Sequence, residues 1–125
     1  MKNTVQSDIK IVPNADALCR TAAAEVVSSA EAAVREKGSF AVVLSGGSTP
    51  KSLYALLADD ESWRARVPWE KAHFFWGDER HVPPAHPDSN YRMSHEALLS
   101  KVSIPAANIH RIKSEYADAD APADF

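Results

Sequence analysis

Apolar and polar positions along this chain fall into short blocks whose period switches back and forth between that of a strand and that of a helix. Ile9 to Val12 is a brief apolar run closed by Pro13 and reads as a strand; Asn14 is placed to cap a helix. From Ala15 to about Lys37, Leu18, Ala22, Val26, Ala30 and Ala33 or Val34 recur at helical spacing, with Glu25, Glu31, Arg35 and Glu36 largely elsewhere. Gly38 is the expected stop. Phe40 to Leu44 is apolar on both faces and rich in β-branched residues, the pattern of a strand buried inside a parallel sheet.

That strand runs into Gly46 and Gly47, which predict a turn whose backbone can take positive φ and lie close to a ligand, with N–H groups aimed at an anion. Ser48 or Thr49 is a fitting N-cap and Pro50 suits a first helical position, so a helix is expected from Pro50 to about Ala58. Leu53, Leu56 and Leu57 form its core face, and Asp59 and Asp60 end it. Glu61 to Lys71 is a connector whose Trp63 and Trp69 serve as packing anchors beside Pro68. Ala72 to Trp76 is the next strand, ended by Gly77. Pro83, Pro84 and Pro87 make His81 to Asn90 a loop. Asp88, Ser89 or Asn90 then caps a helix carrying Tyr91, His95, Leu98 and Val102 on one face and stopped by Pro105. Asn108 to Ile112 is a fourth strand candidate, and Tyr116 to Phe125 carries no expected element.

Strand and helix in alternation predict an α/β fold, a parallel β-sheet flanked by helices and Rossmann-like in organisation. In such a sheet ligands sit beyond the carboxyl ends of the strands, where the Gly46 to Thr49 turn and the Asp78 to Arg80 segment both fall. Lys51 adds a clue: a cation in a first helical turn is disfavoured by the helix dipole unless a bound phosphate reverses the sign. Arg80 can bind two oxygens of a phosphate or a developing oxyanion, and Asp78 can orient Arg80 or a sugar hydroxyl. A surface ion pair among Asp78, Glu79 and Arg80 is the plainer alternative.

Composition narrows the partners. The 125 residues are 45% hydrophobic, enough for a core of one domain or part of one, and the net charge is -3 with no run of Lys or Arg. No nucleic-acid partner and no membrane partner is expected, and a cytoplasmic protein is the default. Cys19 is the single cysteine and reads as a helix residue, which leaves no intramolecular disulfide. His81, His86 and Asp88 match no standard zinc spacing, so no metal is expected; His73 and His95 read as packed side chains. Ser45 and Ser48 flank the glycines without the Gly-x-Ser-x-Gly of a nucleophile elbow.

Leu-Ser-Gly-Gly-Ser-Thr-Pro at 44–50, Trp-Gly-Asp-Glu-Arg-His-Val-Pro at 76–83, Asp-Ser-Asn-Tyr-Arg-Met at 88–93 and Ile-Pro-Ala-Ala-Asn-Ile-His-Arg at 104–111 together resemble the 6-phosphogluconolactonases. The resemblance runs from Ile9 onward in matching order and implies metal-free, cofactor-free hydrolysis of 6-phosphoglucono-1,5-lactone to 6-phosphogluconate, in the oxidative pentose phosphate pathway. It implies that Gly46, Gly47, Ser48 and Thr49 hold the sugar phosphate, and that Arg80 binds an anionic group with Asp78 beside it. Members of that family are about twice as long, and their general-base histidine lies in a later Gly-x-Gly-x-Asp-Gly-His segment with no counterpart here. Residues 1–125 therefore resemble the amino-terminal half of a single α/β domain, apparently truncated, with little or no activity expected of it alone and self-association expected through an unpaired sheet edge. Two alternatives are a non-catalytic sugar-phosphate-binding module and an enzyme like the glucosamine-6-phosphate deaminases, which share the fold and a related glycine turn.

Overall fold

Helix α1 (Ala15–Lys37) starts where the Asn14 side chain, on extended backbone, accepts the Ala17 N–H at 2.8 Å; it ends at Gly38, whose φ of 80° lies in the left-handed region. Both ends are as expected, and both follow from local chemistry. A computed structural model describes residues 8–115, so Tyr116 to Phe125 lies outside the described residues. The inward stripe of α1 is Ala23, Val27 and Ala30, each wholly buried, while Leu18 is 43% exposed. The expected stripe is thus rotated about the helix. Alanine on nearly every side leaves little contrast between faces, and the contacts with the following helix decide which one turns inward.

Ile9 to Val12 is not a strand: Ile9 and Ile11 are exposed, and the segment pairs with nothing among the described residues. Lys10 instead bonds the Glu25 carboxylate on α1 at 2.6 Å. A strand needs a ladder partner that its own sequence cannot supply.

The sheet has three parallel strands in the order β1 (Phe40–Leu44), β2 (Ala72–Trp76) and β3 (Ile109–His110). Phe40 pairs with Ala72 and Leu44 with Trp76; Phe74 pairs with Ile109. The last strand is shorter than Asn108 to Ile112, because a 3-10 turn takes up Ala106–Asn108. Phe40, Val42 and Leu44 of β1 and Ala72, Phe74 and Trp76 of β2 point into one core with the helices. On the other face Ala41 is exposed, as is Val43 at 63%; His73, Phe75 and His110 stack on one another and stay half-buried. The expectation that β1 is buried on both faces therefore fails, since the described helices cover one side.

Helix α2 (Ser48–Asp59) follows β1, and the single turn α3 (Glu61–Arg64) opens on Asp60, whose carboxylate accepts the Ser62 N–H at 2.9 Å. The tryptophan anchors behave as expected. Trp69 is buried and its Nε1 donates to the Arg64 carbonyl at 2.9 Å, while Trp63 packs against the edge of the core. Helix α4 (Asn90–Ala97) is shorter than the apolar spacing implies. Leu98 leaves helical geometry to enter the core, 1% exposed, and a 3-10 turn at Leu99–Lys101 carries Val102 off the helix before Pro105 is reached. Among the described residues, no helix is long and apolar enough to cross a membrane.

Candidate functional site

The parallel register sets the site. Leu44 lies beside Trp76, and the Gly77 N–H donates to the Leu44 carbonyl at 3.1 Å, so the chain leaves both strands at the same level. Ser45–Gly47 and Gly77–Arg80 consequently run side by side at the carboxyl edge of the sheet. The two segments singled out in the sequence are brought together by this pairing.

The turn after β1 departs in detail from expectation. Helix α2 begins at Ser48, with Gly47 rather than Ser48 or Thr49 in the cap position, and Pro50 is its third residue. Gly47 has a φ of 108°, a conformation that L side chains rarely adopt. Gly46 does not have positive φ; its requirement is room. A Cβ there would lie 2.2 Å from Oδ1 of Asn90, which packs directly on it. The hydroxyl of Tyr54 braces the turn from below, accepting the Ser45 N–H at 2.8 Å and donating to the Ser45 carbonyl at 3.1 Å. Burial raises the Tyr54 pKa above its ordinary value, and the hydrogen bond with Ser45 opposes this in part.

The first turn of α2 has no side-chain cap and no acidic residue. The amides of Ser48 and Thr49 have no acceptor among the described residues, and Pro50 has no N–H. Ser48, Thr49 and Ser52 line an open depression of about 470 Å³ together with Asp16 and Cys19 of α1. Cys19 is the helix residue expected, and it lies half-buried at the wall of that depression.

After β2, Asp78 and Arg80 are exposed and Glu79 is half-buried between them. The plainer alternative, an ion pair among the three, is not formed. The Glu79 carboxylate turns inward and accepts four hydrogen bonds: the Arg80 and Asn90 N–H groups on Oε1 at 2.8 and 2.7 Å, and the Ser89 hydroxyl and Tyr91 N–H on Oε2, each at 2.9 Å. A negative group there also suits the positive end of α4. Arg80 lines a second depression, of about 330 Å³, with Val82, Asp88 and Asn90. Asn90 donates from Nδ2 to the carbonyl and the carboxylate of Asp78, both at 3.3 Å. Ser48 and Thr49 therefore face one depression and Arg80 another, with the Gly46–Asn90 contact between the two segments.

Three residues that fix this geometry were not singled out as site residues in the sequence: Tyr54, Glu79 and Asn90. Glu79 and Asn90 stand eleven positions apart, so no local spacing links them. The visible signal was only that Asn90 is a possible cap. In the proline-rich loop, His86 Nδ1 accepts the Asp88 N–H at 3.0 Å.

A model of the family described as glucosamine-6-phosphate isomerases/6-phosphogluconolactonase matches residues 13–124. The chain belongs to this family. Within it, a 6-phosphogluconolactonase of Nostoc is 43% identical over 112 residues, which are 90% of this chain and 43% of that protein. One from Synechocystis is 44% identical over 115 residues, 92% of this chain and 46% of that protein. A solved 6-phosphogluconolactonase from Thermotoga maritima is 34% identical with a TM-score of 0.70, covering 78% of this chain and 43% of that one. The chain thus spans less than half the length of these relatives, and its parallel sheet with helices is the Rossmann-like fold of the family.

Proposed function

We propose that residues 1–125 form the amino-terminal half of a single α/β 6-phosphogluconolactonase domain and that they carry its sugar-phosphate-binding part. The phosphate is assigned to Gly46, Gly47, Ser48 and Thr49. Arg80 is assigned to the lactone carbonyl or product carboxylate, with Asp78 beside it to fix a sugar hydroxyl or the guanidinium.

One observation carries this reading. The starts of α1, α3 and α4 are closed by side-chain oxygens of Asn14, Asp60 and Ser89, the last reinforced by Glu79. That of α2 is open, with Lys51 in its first turn instead of an acid. Unfilled amides at the positive end of a twelve-residue helix favour an anion of phosphate size.

The reaction fits these groups. A lactone is an activated ester, so water attacks it directly once a base takes the proton, and the guanidinium of Arg80 would steady the charge that develops on the carbonyl oxygen. Opening the ring breaks the C1–O5 bond, leaving a carboxylate at C1 and a hydroxyl at C5. The base is the missing part: none of the five histidines lies in a Gly-x-Gly-x-Asp-Gly-His segment. We therefore assign binding to these residues and the proton transfer to a group outside them. The physiological setting proposed is the oxidative branch of the pentose phosphate pathway in the cytoplasm.

The test is lactone opening by the chain above the spontaneous rate, with Arg80→Ala as control, alongside a two-dimensional NMR titration with 6-phosphogluconate. Shifts of the Gly47, Ser48 and Thr49 amides, weakened roughly tenfold by Arg80→Ala, with no rate above background, are expected. Unmoved amides would remove the phosphate assignment, and an Arg80-dependent rate would place a base within these residues. Strand β1 also implies a partner, since it bonds only β2 among the described residues. We propose that its open edge joins a second chain, so that gel filtration shows concentration-dependent association; a monomer at every concentration would contradict this.

A further inference from the structure

We infer that Asn90 is the positioning residue of this site: its carboxamide, wedged between Gly46 and Asp78, sets the placement of the phosphate turn against the Asp78–Arg80 segment. For the ligand it positions, the inference rests on the sugar-phosphate reading above; the mechanical linkage does not.

The geometry is specific. Asn90 is 8% exposed, the first residue of α4, and held from two directions. Its backbone N–H is fixed on Glu79 Oε1 at 2.7 Å, the same oxygen that accepts the Arg80 N–H at 2.8 Å. Its Nδ2 donates to the backbone carbonyl and to Oδ1 of Asp78, each at 3.3 Å. Those bonds orient the amide, and Oδ1 is left facing the Cα of Gly46, where a Cβ would lie 2.2 Å from Oδ1 and 2.7 Å from Cγ. Real Cβ atoms do not approach that closely, so the glycine and the asparagine are a matched pair.

The linkage matters because no other hydrogen bond ties the two segments together beyond Gly77 among the described residues. The β1–β2 ladder aligns the two strands up to Leu44 and Trp76, but beyond Gly77 no backbone hydrogen bond joins the two segments among the described residues. The Asn90 side chain spans that interval. A displacement of the turn at Gly46 must push on the carboxamide and pass to Asp78, and through Glu79 to the backbone of Arg80. Holding groups from two loops in fixed relation is what a site that grips both ends of a sugar phosphate needs, since misplacement by a fraction of an ångström costs affinity. Asparagine suits the role better than aspartate, whose charge would face that of Asp78.

A two-by-two set of variants tests this: wild type, Gly46→Ala, Asn90→Ala and the double variant, each followed by backbone amide shifts of Asp78, Glu79 and Arg80 in the free protein and by the dissociation constant for 6-phosphogluconate. Gly46→Ala is expected to move the Asp78 and Arg80 resonances in the wild-type background and to leave them in place in the Asn90→Ala background, where the clash is gone. Equal movement in both backgrounds, or none in either, would overturn the inference. If Gly46→Ala fails to fold, recovery of the fold in the double variant supports it, and a double variant that unfolds while Asn90→Ala remains folded refutes it. Asn90→Gly, which leaves no side chain over Gly46, replaces Asn90→Ala in the set should the latter not fold. Asn90→Ala is expected to weaken 6-phosphogluconate roughly tenfold, the scale of losing hydrogen bonds that hold a site in place; an unchanged constant would overturn the positioning role. Failure of the wild type to bind 6-phosphogluconate would remove the functional reading instead, and the shift comparison would then decide the linkage alone.

Discussion

Replacing Tyr54 by phenylalanine removes one hydroxyl oxygen, and that oxygen is what the turn after β1 rests on. It accepts the Ser45 N–H at 2.8 Å and donates to the Ser45 carbonyl at 3.1 Å, while the ring itself is 6% exposed in the core. Phenylalanine keeps the apolar contacts, so the change isolates the two hydrogen bonds. Ser45 is an exposed residue, which lets water recover part of the loss. An uncompensated pair would cost up to about 3 kcal/mol, and partial hydration brings the expected loss to about 1–2 kcal/mol. For a domain of this size that is a fall of roughly 5–10 °C in Tm. The same variant carries a pH signature. Because burial holds the Tyr54 pKa above 10.0, the folded state favours the neutral phenol, and that stabilisation is complete below pH 10 and lost as the pH rises through the folded-state value. Urea unfolding from pH 7 to 11 should therefore show wild type and Tyr54→Phe converging at the alkaline end. Equal stability at pH 7, or a gap that stays constant to pH 11, would refute the reasoning.

Ser94 is wholly buried, accepts the Trp76 indole N–H at 3.0 Å and donates within α4. Ser94→Ala strands that N–H in the core, and a loss of about 1–3 kcal/mol in urea unfolding is expected, with a change in tryptophan emission. Arg111 grips Glu115 with two bonds of 2.7 Å, and this holds the Glu115 carboxyl at about 2. Its contribution is present above the ordinary value of 4.5 and is lost as pH falls from there toward 2, so Glu115→Gln should flatten the acid limb of the stability profile in that window while leaving it unchanged in shape above pH 6. Parallel acid titrations of the two proteins by circular dichroism check this.

What the sequence made legible were features decided within a few residues. Asn14 and Gly38 end α1 as read, because a cap and a left-handed stop are local chemistry. β1 and β2 have the residues expected, and the tryptophans of the connector pack. What was not legible depended on residues far along the chain. Ile9 to Val12 has the composition of a strand and no edge to join. Val43 reads as buried and is exposed, because nothing among residues 8–115 covers that face. Glycine at 46 suggested a positive φ, whereas the cause is a side chain forty-four positions later that occupies the space of a Cβ. Glu79 read as one charge of a surface cluster, and its four donors come from its own neighbour and from the start of α4. Both strand-end segments were legible as site candidates; the clamp that joins them was not.

The two glycines of the turn thus solve different problems, and the difference bears on what the turn is for. Gly47 supplies a backbone angle, and Gly46 supplies room for the side chain that ties the turn to the neighbouring strand end. With Tyr54 below, Asn90 beside and the ladder bond at Leu44 behind, the segment is held on three sides before any ligand arrives. Yet the amides it presents at Ser48 and Thr49 have no acceptor among the described residues. The other three α-helix starts among the described residues are each closed by a side-chain oxygen. On the proposed phosphate assignment, donors that are already in place lower the entropic cost of taking up an anion. Rigidity and openness at the same five residues are therefore one argument, and the proposed phosphate assignment rests on it.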